Sequence, residues 1–200
     1  MRNKGFKISA VLMISMLFFA GSVCGQTFYN LQNCLNNWET PKWAEYKSDY
    51  ISPVLAVDEN FTETGISSLK LDLSFSGEEW NAGIVETNGV FDLTLHTAMK
   101  FDVYLPENAP KKGILVRAVI TVGEENEWIE MISPVGIRAG KRTTVYANLR
   151  KGNRDWKSSK GRIRMSDMVK SGIKKIAIRV ESNSVGYVGP IYIDNITLKK

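Results

Sequence analysis

Two sets of side chains in this sequence could do chemistry. The first is aromatic. Of the five tryptophans, Trp38 and Trp43 flank a proline-containing stretch, Trp80 opens a strand, Trp128 sits among acids and Trp156 lies in a basic stretch. None falls on the inward series of a long strand. Sugars have apolar C–H faces and a rim of hydroxyls, so a protein that binds them needs flat rings for stacking and charged or amide groups for directional hydrogen bonds. Trp128 and Glu130 stand two apart and so share one face of a strand. Arg117 and Tyr104 take outward positions on other strands, and Arg179 lies on the non-core face of another. This mixture points to a polysaccharide partner. The alternative is that the tryptophans close the ends of an apolar core.

The second set is acidic: Glu125, Glu127 and Glu130 in "EENEWIE". Glycoside hydrolysis needs only two carboxylates at the right separation, so a small jelly-roll glycosidase or lyase is the catalytic alternative. The spacing resembles the acid triad of jelly-roll glucanases, although that family has Asp where Glu127 stands. Straight alternation, moreover, sends Glu125 and Glu127 to one face and Glu130 to the other. A solvated acidic hairpin is the favoured account. The single histidine, His96, argues against a serine triad, a histidine-rich metal site and most acid–base schemes. A third alternative is an adhesion or interaction sandwich with no sugar site.

The elements that must position these groups are strands. Alternation with a period of two marks half-buried strands. The inward sets are Leu69, Leu71, Leu73 and Phe75; Met99, Phe101, Val103 and Leu105; Ile114, Val116, Ala118, Ile120 and Val122; and Ile176, Ile178 and Val180. Shorter strands are expected at 27–32, 53–58, 80–86, 127–132, 142–149 and 190–198. Turn chemistry separates them at Thr64-Gly65, Ser76-Gly77, Asn88-Gly89 and "RAGKR". One helical turn is expected at Ser166–Ser171, with Ser166 as N-cap and Gly172 past the end. Short strands without a βαβ rhythm predict an all-β antiparallel sandwich of two sheets, a jelly roll. In the last strand, "IYIDNITL", the apolar residues change parity at Asp194-Asn195, which predicts a β-bulge that re-aims the carboxylate.

Residues 1–25 read as a secretory signal peptide: Arg2, Lys4 and Lys7, an apolar run from Ile8 to Val23, and small residues before a cut ahead of Gln26. The run is too short for a membrane span, so a secreted, periplasmic or cell-surface location is expected. Lipid anchoring through Cys24 is the alternative. The chain carries 26 basic and 21 acidic residues. Three basic residues leave with the signal, so 23 remain against 21, or +2. That balance gives no reason to expect nucleic acid as a partner. The stretch 151–164 is locally basic and reads as a solvated loop. Residues 26–200 suit one domain, expected to be monomeric, with one thiol, Cys34, and therefore no internal disulfide.

The segments "TGISSLKLDLSFSGEEWNAGIV", "TAMKFDVYLPENAP" and "IYIDNITL" together resemble a carbohydrate-binding module of the galactose-binding-like jelly-roll type, closest to modules of bacterial mannanases and glucanases. The resemblance implies non-catalytic binding of a β-linked polysaccharide such as mannan or glucan. Trp80 and Trp128 match its stacking positions, and Trp38 or Trp43 matches a third. It also implies a structural calcium that uses the acid of the terminal strand, here Asp194. Gln32 stands where that family's first strand often has Glu, a departure that lowers the charge of the implied site.

Overall fold

The computed structural model describes residue 35, residues 37–59, residue 61 and residues 67–200. The expected signal peptide, the strand at 27–32, Gln32 and Cys34 lie outside them.

Fourteen strands occur among the described residues. In chain order they are β1 (Trp38–Glu39), β2 (Tyr50–Ile51), β3 (Val54–Asp58), β4 (Ser68–Phe75), β5 (Trp80–Phe91), β6 (Ala98–Leu105), β7 (Ile114–Val122), β8 (Glu127–Met131), β9 (Val135–Gly136), β10 (Lys141–Asn148), β11 (Trp156–Ser158), β12 (Gly161–Ile163), β13 (Ile173–Asn183) and β14 (Tyr187–Lys199). One sheet has nine strands, with β1-β5-β13-β7-β8-β11-β12 as its path, β2 on β5 and β9 on β7. The other has five, in the order β10-β6-β14-β4-β3. All pairs are antiparallel except the two-residue pairing of β2 with β5. This is the expected two-sheet β-sandwich.

All four inward series join one buried core between the sheets. Burying a side chain of the Leu, Ile or Phe type stabilises by about 1.5–3 kcal/mol, so the alternating pattern is enough to fix which face of each strand points inward. Close approach of the layers sets one further residue. A Cβ on Gly83 would stand 2.3 Å from Leu73 Cδ2, so Gly83 leaves the space that the Leu73 side chain of β4 fills.

The turns at Ser76-Gly77 and in "RAGKR", the helical turn and the bulge fall where the sequence places them. Asn88-Gly89, read as a turn, instead lies inside β5, which pairs with β13 there, and Thr64-Gly65 lies outside the described residues. The short helix α1 spans Asp167–Ser171, and the Ser166 hydroxyl accepts from Val169 N at 3.3 Å. A second helical turn, of 3₁₀ type, covers Lys42–Tyr46. The register of β14 on β6 shifts between Asp194 and Thr197, and Asn195 takes φ 53°. The stretch 151–164, read as a solvated loop, instead contains the β11–β12 hairpin that continues the nine-stranded sheet. Its anchor is Trp156, fully buried, whose indole N–H donates to the Asn148 carbonyl at 2.6 Å. Among the described residues no helix is long and apolar enough to cross a membrane.

Candidate functional site

The outer face of the nine-stranded sheet is unusual because its centre is apolar. In β5 and β13 both faces are buried: Val85 and Ile178 point into the sandwich, while Ile84 and Ala177 point the other way and are buried too. Ile84, Ala177 and Val119 of β7 form a second small cluster with Ala44. The segment that covers them carries the 3₁₀ turn and β2, which brings Trp43 and Tyr50 onto the sheet. Outward apolar residues in the central strands thus hold a cover segment, and that segment supplies half of the rings at the site.

Four rings stand in a row. Tyr50 lies 6.0 Å from Trp80 and 4.9 Å from Trp43, and Trp43 lies 5.5 Å from Trp128. Every contact is edge to face, the arrangement favoured by ring quadrupoles. The Arg179 guanidinium sits inside the row, 5.8 Å from the ring centres of both Trp80 and Trp128. Trp43, Lys47, Tyr50, Trp128 and Arg179 line an open cavity of about 380 Å³.

Beneath the rings lies a network of charges. β13 sets Arg179 opposite Arg117 of β7, and β8 sets Glu130 beside it through Val119. Arg117 donates to Glu181 through Nε and, at 3.0 Å, through Nη2. Its Nη1 reaches Glu130 at 3.2 Å and the Met131 carbonyl at 2.9 Å. Arg179 donates through Nε to Glu181 at 2.9 Å and through Nη1 to the Tyr50 hydroxyl at 3.2 Å, and it lies 2.9 Å from Glu130. Glu130 also takes the Trp128 indole N–H at 3.0 Å and Lys157 at 3.1 Å. The Trp80 indole nitrogen stands 3.5 Å from Glu181. Each carboxylate therefore meets four donors and has its acceptor capacity filled. Their work is orientation: Glu130 holds Trp128 and Arg179, and Glu181 holds Arg117, Arg179 and Trp80.

The protonation states follow. Burial alone would push the Glu130 carboxyl up, but the Trp128 N–H, Arg179, Lys157 and Arg117 outweigh it and hold it below its ordinary value of 4.5. Burial alone would lower the Arg179 guanidinium, yet Glu181, Tyr50 and Glu130 keep it above its usual range. Burial pushes the Tyr50 phenol up against the pull of Arg179, so it stays a neutral hydroxyl.

A pH dependence follows from Glu130. A carboxyl depressed in the folded protein contributes its full stability above the unfolded value. That contribution is lost as pH falls through the lower folded value. Unfolding midpoints in urea should hold steady from neutral pH to about 5, then fall below about 4.3. In Glu130→Gln the part of the fall that this group contributes should be missing, and an unchanged acid limb in that variant would count against the assignment.

The structure thus brings together Trp43, Trp80, Trp128, Arg117, Glu130 and Arg179 of the residues expected at a sugar site. Two others it places elsewhere. Trp38 is 5% exposed and belongs to the main core, because its register partner Thr87 faces inward beside Ile176. Tyr104 is outward as expected, but on the five-stranded sheet, where Phe61 stacks on it at 5.0 Å and on Tyr192 at 4.1 Å. Tyr50, Glu181 and Lys47 were not singled out. Glu181 has the parity of Arg179, two residues away, and that was the available signal. Tyr50 and Lys47 carried no periodic signal. The acids of "EENEWIE" do not converge either. Glu125 lies exposed in the β7–β8 turn, and Glu127 shares the face of buried Ile129, opposite Glu130.

Asp194 lies on the outer face of the five-stranded sheet, across from Asp102. Arg142 Nη1 donates to it at 3.0 Å and the Asn195 backbone N–H at 2.7 Å. Asp102 accepts from Thr144 at 2.5 Å and from the Asn195 amide at 2.9 Å. Calcium needs six to eight oxygens, and no group of three or more acidic, His or Cys side chains among the described residues could hold a metal. Among the described residues Asp194 is thus held by an arginine and a backbone N–H, while Gln32, the other residue of the implied calcium site, lies outside them. Arg142→Ala should lower stability by about 1–3 kcal/mol, since it removes a cation from a buried carboxylate. A urea midpoint shift measures it.

The family model for carbohydrate binding module 27 matches residues 23–200. The chain is similar to a crystal structure of a family-27 module, CBM27-1 of Caldicellulosiruptor saccharolyticus, in complex with mannohexaose. The two are 20% identical with a TM-score of 0.52, over 73% of this chain and 82% of that one. It is also similar in fold to CBM28, a module specific for non-crystalline cellulose, at 13% identity and a TM-score of 0.58, over 82% of this chain and 88% of that one. No curated protein matches the chain.

Proposed function

The chain belongs to the carbohydrate binding module 27 family, and from that premise we propose that it binds a β-mannan-type polysaccharide without cleaving it, on the outer face of the nine-stranded sheet. Trp43, Tyr50, Trp80 and Trp128 offer ring faces to the sugar C–H surfaces. Arg179, Lys47 and the Tyr50 hydroxyl offer polar groups to its hydroxyls. Arg117, Glu130 and Glu181 fix the positions of those groups. The observation that carries the reading is the row of four rings around a buried guanidinium. The mannohexaose complex of the similar module supports mannan as the sugar class.

The state of Glu130 supports binding over hydrolysis. A glycosidase needs one carboxyl held neutral as an acid, with its pKa raised. Glu130 is shifted the other way, and Glu181 is tied to two arginines. Titration calorimetry with mannohexaose and with cellohexaose tests the reading, alongside assay of reducing ends released from mannan. Heat of binding to mannohexaose without release is the expected result. Binding to cellohexaose alone would replace the sugar class, and release of reducing ends would overturn the non-catalytic reading.

A further inference from the structure

A second cleft lies where the edges of the two sheets meet, away from the four rings. It is bounded by the end of β8 (Met131, Ile132, Ser133), by Tyr146 and Asn148 of β10, and by Arg154, Asp155 and Arg162 around the β11–β12 hairpin. Its volume is about 270 Å³, enough for one sugar ring. Its position is fixed structurally. The buried Trp156 ties the hairpin to Asn148, and Ile132 N donates to the Asp155 carbonyl at 2.8 Å. The walls are therefore held on both sides by core and backbone contacts.

The chemistry of this cleft differs from that of the first site. Tyr146 is 44% exposed and Lys199 Nζ stands 5.9 Å from its ring centre. The Asn148 side-chain oxygen accepts from Arg150 N at 3.1 Å, which leaves its amide N–H groups to donate elsewhere. Arg154 and Arg162 are exposed, and neither has an ion-pair partner among the described residues. Two guanidinium groups beside one ring and one amide suit a ligand that is both a sugar and an anion. Arginine recognises a carboxylate through paired N–H donors, and the ring and amide would take the sugar body and its hydroxyls.

The distribution of charge points the same way. Residues 150–164 hold seven basic residues against the single acid Asp155, whereas residues 26–149 and 165–200 together hold 16 basic and 20 acidic. The positive charge of residues 26–200 is thus concentrated in the segment that builds this cleft. Two of its cations are already used: Lys157 pairs with Glu130 and Lys151 with Asp167. The arginines lining the cleft are not.

We propose that this cleft is a second glycan site, taking an acidic sugar residue, a hexuronate within a polysaccharide, with its carboxylate between Arg154 and Arg162 and its ring on Tyr146. A chain with both sites would hold a neutral glycan on the sheet face and an acidic one at the sheet edge.

The test is electrophoresis of the full chain in gels containing polygalacturonate or poly-glutamate, with calorimetry against trigalacturonate. Retardation by polygalacturonate well beyond that by poly-glutamate is expected. Arg154→Ala with Arg162→Ala, and separately Tyr146→Ala, should each weaken trigalacturonate binding by about tenfold or more. Trp128→Ala should leave it unchanged. Mannohexaose should not compete with trigalacturonate on the unaltered protein, which tests for two sites without any variant. Absence of retardation would sink the proposal, and so would equal retardation by poly-glutamate, which would mean a bare charge patch. Indifference to Tyr146→Ala in a variant with an unchanged unfolding midpoint would remove the sugar ring from the account. Competition by mannohexaose would collapse the two sites into one. Only the competition arm rests on the sheet-face site binding mannan; retardation and the Arg154, Arg162 and Tyr146 variants report on this cleft alone.

Discussion

Trp128→Ala is expected to weaken mannohexaose binding by roughly 30-fold or more, about 2 kcal/mol, the range of a buried aromatic anchor at an interface centre. The size follows from position. Trp128 packs on Trp43, lies beside Arg179 and donates to Glu130, so its removal takes away a ring face and loosens two neighbours. Trp128→Phe separates these effects. It keeps a ring for stacking and loses the N–H donated to Glu130, so it should recover most of the affinity. A phenylalanine variant as weak as the alanine one would mean that the hydrogen bond, and not the stack, carries the binding. Calorimetry on variants with unchanged unfolding midpoints makes the comparison. A loss of less than threefold in Trp128→Ala would place the sugar elsewhere.

Arg117→Met has the largest expected effect on stability, a loss of about 3–5 kcal/mol, because it breaks a buried ion pair and leaves carboxylates without their cation. Glu181 is almost fully buried, with a side chain 3% exposed. Arg117 supplies two of its four donors and one of those on Glu130. Urea denaturation should show a lower midpoint with an unchanged slope. Arg117→Met combined with Glu181→Leu should regain much of the loss, since an apolar pair of similar volume costs little in place of a buried ion pair. That double variant should still bind mannohexaose poorly. Arg179 and Trp80 would both have lost the carboxylate that aims them. Recovery of stability together with affinity would show that the network serves the fold alone. A single variant that costs under about 1 kcal/mol would mean that water already solvates the pair.

How much of this could be read from the sequence depended on whether neighbours along the chain settled the matter. The core could be read, because alternation is local: Leu69 to Phe75 and Met99 to Leu105 show their inward faces without reference to anything else. The bulge at Asp194-Asn195 was visible for the same reason, as a change of parity. The site was only half visible. Trp128, Glu130, Arg117 and Arg179 announce that they point outward, but a sandwich has two outer faces, and nothing local says which one a strand presents. That is why Tyr104 was grouped with residues on the opposite sheet. Trp38 and Trp156 lie in strands of two and three residues, too short for alternation to assign a face. The outward apolar residues Ile84, Val119 and Ala177 hold the clearest missed signal. A buried non-core face in the sheet centre requires a cover, and the stretch around Trp43 and Tyr50 was the nearest unassigned aromatic segment.

The cover segment has a consequence of its own. It is fastened to the sheet by a two-residue parallel pairing, by the Ala82 N–H donated to the Asp49 carbonyl and by the small cluster around Ala44. Two of the four rings therefore ride on an element whose local opening costs far less than global unfolding. Amide protons of residues 44–51 should exchange with solvent faster than those of β13, whose ladders run along both neighbours. A sugar laid across all four rings clamps the cover to the sheet, so saturating oligosaccharide should slow exchange in this segment much more than in β13. Recognition would then include an ordering step, and part of the intrinsic affinity goes into holding the segment down. Tying it down covalently to β5 should tighten binding chiefly by slowing dissociation.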